Sequence, residues 1–179
     1  MVTMEDMLRL VIEVASMRDV PIPEGATDEQ IDSITSRVGI AVPIELRQWL
    51  RTCNGVLVGP GNIYGVRPDL AFLDIGYLLD LHPEWINQGW IPIAGDGCGS
   101  YYVLATRSST RRGHPIFFID EYDYNVPAYV VASNLWSFLW FLLQDEFGRD
   151  YWPQDKDKVL EIDPDLSEYS EIPRLWEVD

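Results

Sequence analysis

The chain has 179 residues, of which 47% are hydrophobic, and it carries 29 acidic residues against 13 basic ones, a formal net charge of -16. This length and apolar content predict one globular domain with appendages, and no apolar stretch approaches the roughly 18 residues of a membrane span. Because nucleic-acid binding rests on Lys and Arg neutralising phosphates, the charge balance disfavours that class of function and favours a cationic partner.

Three helices are predicted in the first third of the chain. Thr3 caps the first, over "EDMLRLVIEVASM" (5–17). Thr27 and Gln30 form a capping box that starts the second, and Gly39 ends it in the left-handed conformation. Pro43 starts the third, which ends at "CNG" (53–55).

After Gly55 the sequence changes to short apolar runs separated by turn residues. One helix is predicted around "LAFLDIGYLLDLHPEW" (70–85), and a buried one begins at Ser133 or Asn134 and ends at Gly148. The other runs are typical of strands: "VLV" (56–58), "NIYGV" (62–66), "WIPIA" (90–94), "SYYVLAT" (100–106), "HPIFFID" (114–120) and "AYVVA" (128–132). The turn-rich joints favour an antiparallel meander, so the predicted fold class is α+β.

The glycine-rich segment "GDGCG" (95–99) raises the question of a phosphate site. A dinucleotide loop or a P-loop opens a helix, whose amide groups hold the phosphates, but here a strand-type run follows. Asp96-Gly97 is a favoured pair for a turn with positive φ. We therefore predict a β-hairpin, and we assign no cofactor.

The sequence contains few residues that could form another catalytic site or a metal site. Two cysteines and two histidines without metal-ligand spacing predict no metal centre. Carboxylates such as Asp74 and Asp96 could perform acid–base chemistry only if the fold brought them together in a cleft. Glu5 and Asp6 stand where a secretory signal needs positive charge, so we expect a cytoplasmic protein.

Three ordered motifs resemble the SUKH superfamily, which groups yeast cell-wall-assembly regulators with bacterial immunity proteins of polymorphic toxin systems. They are "VPIELRQWLRTCNG" (42–55), "WIPIAGDGCGSYYVLAT" (90–106) and "VVASNLWSFLWFLL" (130–143), and the match covers about residues 27–143. The positions that carry it are Asn54, Gly55, Trp90, Ile93, Ala94, Asp96, Gly97 and Gly99. An acidic residue commonly follows the last glycine in that family, whereas Ser100 stands here.

The resemblance implies an antiparallel sheet packed by N-terminal helices and a buried C-terminal helix. It also implies no cofactor, no catalytic residue and recognition of another protein. We therefore expect one SUKH-like domain over residues 1–148. Residues 149–179 form an acidic tail that packs on it, because 12 acidic and 4 basic residues lie between Asp145 and Asp179. Its apolar anchors are Trp152, Leu160, Ile162, Leu166, Trp176 and Val178.

The segment "DEYDYNVPAY" (120–129) interleaves carboxylates with tyrosines. Aromatic rings on a sheet beside carboxylates suit a hot spot that faces Arg and Lys of a basic partner. The alternatives are a strand end with solvated acids, and a calcium site that lacks the spacing of a calcium-binding loop. With the adjoining hairpin, the candidate partner-binding residues are Asp96, Tyr101, Asp120, Glu121, Tyr122, Asp123 and Tyr124.

Two further clusters have a structural interpretation. The basic island "RSSTRRGH" (107–114) is expected to be a solvated hairpin tip that tolerates removal. Trp136 and Trp140, four residues apart on the last helix, are expected in the core rather than in a ligand cage.

These expectations favour an immunity protein that binds a basic protein toxin, for example a nuclease, and covers its active cleft. The alternatives are a regulatory protein-binding scaffold of the cell-wall-assembly type and a small enzyme of unknown chemistry. Neither nucleic acid nor membrane is an expected partner.

Overall fold

The first third of the chain folds into three helices, as the capping signals predict. The computed structural model describes residues 2–39, 41–149 and 155–178. Helices α1 (Met4–Met17) and α2 (Asp28–Val38) begin with capping boxes at Thr3 and Thr27, and Gly39 ends α2 in the left-handed conformation. Helix α3 (Ile44–Leu50) follows Pro43.

A four-stranded antiparallel sheet forms the centre of the molecule. Its strands are β1 (Trp90–Gly95), β2 (Tyr101–Ala105), β3 (Ile116–Ile119) and β4 (Pro127–Ala132), and they lie side by side in chain order. The β1–β2 and β3–β4 connections therefore emerge at one end of the sheet, and the β2–β3 connection emerges at the other. With the helices, this confirms the predicted α+β class.

Helix α6 (Leu135–Glu146) is the most deeply buried helix that packs against the sheet. Asn134 caps it by accepting a hydrogen bond from the amide of Ser137, at 3.0 Å. Phe138, Phe141 and Leu142 are buried in the core, whereas Trp136 and Trp140 are only half-buried at its margin. The two tryptophans, which their spacing predicts in the core, therefore lie at its edge.

The predicted helix over residues 70–85 is divided into three pieces. A short 3-10 helix (Ala71–Leu73) precedes α4 (Ile75–Leu81), and α5 (Pro83–Gln88) follows. Asp74 separates the first two pieces because its carboxylate caps α4 by accepting from the amide of Tyr77, at 2.8 Å. Pro83 begins a new helix since proline is favoured in a first turn and disfavoured further in.

The runs "VLV" and "NIYGV" form isolated bridges instead of the predicted strands. Val56 pairs with Ile63, and Ile63 pairs with Ala94 of β1, one residue at a time. The intervening turn packs tightly against the glycine-rich turn: a Cβ on Gly61 would lie 2.4 Å from the carbonyl carbon of Gly95. This close approach, rather than a continuous ladder of backbone hydrogen bonds, holds residues 56–66 in place.

Residues 155–178 contact the sheet and the basic island. They contain helix α7 (Lys156–Ile162) and two 3-10 helices (Pro164–Glu168 and Leu175–Glu177). The amide of Val130 in β4 donates to the carbonyl of Pro173 at 2.8 Å, so this segment partly covers the free edge of the sheet. Trp152, one of the expected anchors, lies outside the described residues.

The arginines of the basic island are exposed, as expected of a solvated hairpin tip, but two of them also form ion pairs with this segment. Arg112 Nε lies 2.9 Å from the buried carboxylate of Asp165, and Arg111 pairs with Glu168 at 3.0 Å. The ring of Tyr169 packs 5.9 Å from that of Phe117 in β3. The sequence prediction missed these ion pairs because it weighed the arginines against the overall charge and not against one nearby acidic segment.

Candidate protein-binding surface

The glycine-rich turn between β1 and β2 is closed by the side chain of Asp96. Its Oδ1 atom accepts hydrogen bonds from the amides of Cys98 and Ser100, at 2.8 and 2.9 Å. Gly97 and Gly99 have φ values of 81° and 112°, which side-chain-bearing residues rarely adopt. Two amides that a phosphate would need are therefore already bonded within the turn, in agreement with a hairpin.

The loop between β3 and β4 (residues 120–126) lies directly beside this turn. The amide of Glu121 donates to Ser100 Oγ at 3.1 Å, and the Tyr124 hydroxyl donates to the carbonyl of Gly99 at 3.2 Å. Tyr101 stands opposite Ile119 in the β2–β3 register. Ser100, which departs from the family pattern, is thus a polar link between the two connections.

All seven residues proposed from the sequence consequently lie at one end of the sheet. We call this the acidic–aromatic surface: Asp96, Tyr101, Asp120, Glu121, Tyr122, Asp123 and Tyr124. The set divides into residues that hold the loops and residues that face solvent. Tyr122 is 90% exposed, and Glu121 and Asp123 are exposed beside it.

Two of the loop carboxylates also shape the loop itself. Asp120 Oδ1 accepts from the amide of Tyr122 at 2.9 Å, and Asp123 Oδ1 accepts from the amide of Asn125 at 3.0 Å. Such short-range bonds fix the backbone of a turn. Tyr122 is therefore presented to solvent on a loop whose conformation the flanking aspartates determine.

An aromatic cluster beneath the surface holds Tyr101 and Tyr124 in place. The ring centroids of His82 and Trp85 are stacked 4.2 Å apart, and His82 lies 5.3 Å from Tyr101 and 4.6 Å from Tyr124. Trp85 Nε1 donates to the carbonyl of Tyr124 at 2.8 Å. Sequence reasoning missed His82 and Trp85, because residues 39 and more positions from Tyr124 join it only through tertiary packing.

Burial favours the neutral form of the His82 imidazole. Desolvation lowers the pKa of His82, and the carboxylate of Glu84, 3.4 Å from Nδ1, opposes this only in part. Its Nε2 atom is buried and finds no hydrogen-bond partner in the described part of the chain. A proton on this ring would therefore be poorly compensated.

The exposed carboxylates carry uncompensated negative charge. Some acids elsewhere are paired with arginine, as Asp28 is with Arg51 and Asp69 is with Arg67. Within residues 2–39, 41–149 and 155–178, no ion pair involves the four acids of the acidic–aromatic surface. The pKa of the Tyr129 hydroxyl is raised mainly by burial and further by Asp96 and Asp120, so the negative field extends along β4.

The carboxylate pair considered for acid–base chemistry has structural roles instead. Asp74 accepts from the amides of Arg67 and Tyr77, at 2.7 and 2.8 Å, and it caps α4. Asp96 closes the hairpin turn as described above. Both side chains therefore stabilise local backbone structure.

None of the helices in the described ranges is long and apolar enough to cross a membrane. A comparison with curated proteins gives no match. The model of the SMI1 / KNR4 family (SUKH-1) matches residues 25–140, which include α2, the whole sheet and the first half of α6. This match covers about two thirds of the chain and confirms the resemblance predicted from the three motifs. The chain therefore belongs to the SMI1 / KNR4 family (SUKH-1).

Proposed function

We propose that this protein is an immunity protein that neutralises a cognate protein toxin by covering a basic cleft with the acidic–aromatic surface. Members of its family are generally non-catalytic immunity or regulatory proteins, and such roles work through binding. We assign no catalytic residue and no cofactor. A nuclease is the type of toxin with the most suitable cleft, because it must itself attract phosphates with basic groups.

One observation carries the proposal: unpaired carboxylates surround tyrosines that the fold holds rigidly. Exposed carboxylates steer a basic partner and speed association. Aromatic side chains supply most binding energy when they are ordered before binding, since little conformational freedom is then lost. Tyr101 and Tyr124 are ordered by the aromatic cluster, and Tyr122 adds a large exposed ring at the tip.

Co-expression with each toxin domain encoded near this gene, scored by cell survival, tests the proposal. We expect the unaltered protein to rescue growth against one of them. The double variant Tyr122→Ala, Asp123→Asn should reduce survival by about tenfold or more, because it removes the exposed ring and one charge. Asn keeps the oxygen that accepts from the amide of Asn125, so the loop retains its shape.

A matched control lies on α1, outside the matched family range. Ile12 and Glu13 are exposed there, and the double variant Ile12→Ala, Glu13→Gln likewise removes one exposed apolar side chain and one negative charge. It should rescue fully. Full rescue by the Tyr122, Asp123 variant would show that another surface binds, and failure of the unaltered protein against every neighbouring toxin would contradict the immunity function.

The second candidate function is a regulatory scaffold that binds signalling proteins. It is favoured by the family match itself, since the SMI1 / KNR4 family includes regulators. The same surface would serve it. A neighbouring gene for a large secreted toxin favours immunity, and an isolated gene favours the scaffold.

A further inference from the structure

Helix α4 presents an apolar stripe to solvent next to the acidic–aromatic surface. Tyr77 and Leu81 are four residues apart, so they lie on one face, and they are 49% and 54% exposed. The opposite face carries Ile75, Leu78 and Leu79, which are buried in the core. The stripe is therefore not the core-facing side of this helix.

The stripe is continuous with the tyrosines of the acidic–aromatic surface. His82 follows Leu81 directly, and its ring contacts both Tyr101 and Tyr124. Tyr77 is among the groups that raise the pKa of the Tyr101 hydroxyl, after burial, Tyr124 and Asp96. The ring centroids of Tyr101 and Tyr124 are 6.0 Å apart, and helix α4 approaches this pair through His82 at its end.

We infer that this combined surface recognises arginine side chains of the partner in preference to lysine, an inference that rests on the proposed function and extends its interface to Tyr77 and Leu81. A guanidinium group stacks on aromatic rings and forms two parallel hydrogen bonds with a carboxylate. An ammonium group is compact and strongly hydrated, and it has neither a flat face that stacks on a ring nor two parallel donors for one carboxylate. Rings and unpaired carboxylates side by side therefore match arginine chemistry.

The apolar stripe adds a requirement on the partner's sequence. Leu81 lacks both a charge and a ring, so it contributes by removing apolar surface from water. The matching segment of the partner then carries an apolar residue close to its arginines. A purely polyanionic surface would need neither the stripe nor the ordered tyrosines.

Two peptides of equal charge test the preference for arginine. The full chain, labelled with nitrogen-15, is titrated with a ten-residue peptide of alternating Arg and Gly and with the Lys–Gly equivalent, and amide shifts are followed by NMR. We expect the largest shifts at residues 77–82, 96–101 and 120–126, and at least threefold tighter binding of the arginine peptide. Equal affinities, or shifts concentrated in residues 155–178, would overturn the inference.

Single substitutions separate the stripe from its surroundings. Tyr77→Leu keeps an apolar side chain but removes the ring, so the affinity ratio between the two peptides should fall toward one. Addition of one Trp to the arginine peptide should tighten binding to the unaltered chain several-fold, and Leu81→Ser should abolish that gain. Ile12→Ser on α1, where Ile12 is 56% exposed, is the control and should change neither measurement.

The outcomes for the two proposals are distinguishable. Arginine-selective binding at this surface without rescue from any neighbouring toxin would remove the immunity function and leave the recognition chemistry. Toxin rescue that is insensitive to Tyr77→Leu and Leu81→Ser would leave the immunity function and remove the extended interface. A thermal unfolding curve for each variant shows that the fold is retained.

Discussion

At the scale of single residues, His82 links the core to the candidate interface. Its ring is sandwiched against Trp85 and touches both tyrosines that the interface needs. Burial lowers the pKa of His82 in the folded state, whereas a histidine in an unfolded chain has a pKa of about 6.5. This difference couples stability to pH.

We expect acid to weaken the fold through this residue. Because burial lowers the pKa of His82, its contribution is fully present above about pH 6.5, the unfolded value, and is lost as the pH falls below it. The free energy of unfolding of the unaltered protein should exceed that of His82→Gln at pH 7.5, and the difference should shrink by pH 5.5. Urea unfolding of both proteins at the two pH values measures this. A difference that stays constant would show that His82 does not titrate in this range.

Single residues also show where prediction from sequence reaches its limit. The composition of residues 120–124 predicts tyrosines beside carboxylates on the sheet, and the structure places these residues in the β3–β4 loop at one end of it. The composition does not show that Asp96 Oδ1 accepts hydrogen bonds from the amides of Cys98 and Ser100, since these bonds depend on the backbone of the turn. The aromatic cluster around His82 cannot be predicted from the sequence either, because α5 contacts the β3–β4 loop only in the folded chain.

At the scale of elements, one buried carboxylate fastens residues 155–178 to the start of α6. Asp163 accepts from the amide of Ser133 at 2.7 Å and from its hydroxyl at 2.5 Å, and it is fully buried. Burial raises the pKa of Asp163, and the two Ser133 donors oppose that rise. Ser133, offered by the sequence as a possible cap of α6, is thus the attachment point of a later segment, and Asn134 is the cap.

Substitutions at Asp163 should separate the hydrogen bonds from the charge. Asp163→Ala leaves the amide and hydroxyl of Ser133 without a partner in the interior, so we expect a loss of about 2–3 kcal/mol in the free energy of unfolding. Asp163→Asn keeps one oxygen to accept from the Ser133 amide and removes a buried charge, and the Ser133 hydroxyl can turn to accept from the new NH2 group, so its cost should be smaller, about 1 kcal/mol. Chemical denaturation at pH 7 compares the two. Equal losses in both variants would mean that the charge, and not the hydrogen bonding, holds this contact.

Elements differ in how well local sequence determines them. The first two helices follow from capping boxes that act within three residues, and both boxes are present in the structure. The segment from Val56 to Val66 has strand-like composition, but its single bridges are set by the contact of Gly61 with the β1–β2 turn. That contact spans more than thirty residues of chain and leaves no local signal.

At the scale of the whole molecule, two acidic regions differ in whether arginine side chains pair with their carboxylates. The acids of residues 155–178 are partly neutralised by the arginines of the β2–β3 connection, as in the contacts of Asp165 and Glu168. Those of the acidic–aromatic surface have no ion-pair partner among the described residues. Under the proposed function, the net charge of -16 would attract a basic partner and the unpaired carboxylates at this end of the sheet would orient it.

Association with a neutralised toxin should depend strongly on salt. Raising the salt concentration from 50 to 500 mM shortens the screening length from more than about 10 Å to less than about 5 Å, so the association rate constant should fall about tenfold or more. The double variant Glu121→Gln, Asp123→Asn should weaken this dependence, and Tyr122→Ala should mainly raise the dissociation rate constant. Stopped-flow mixing gives both constants. An association rate that salt changes by less than about threefold would contradict electrostatic steering.

The contact between Val130 and Pro173 bears on how the protein is made. Strand β4 emerges from the ribosome before the residues that cover its edge, so each new molecule passes through an interval in which that edge can pair with another strand. The arginines of the β2–β3 connection are already in place during this interval. Because they pair with Asp165 and Glu168 in the folded chain, we expect them to attract the late acidic segment and to favour covering of this edge over pairing with another strand.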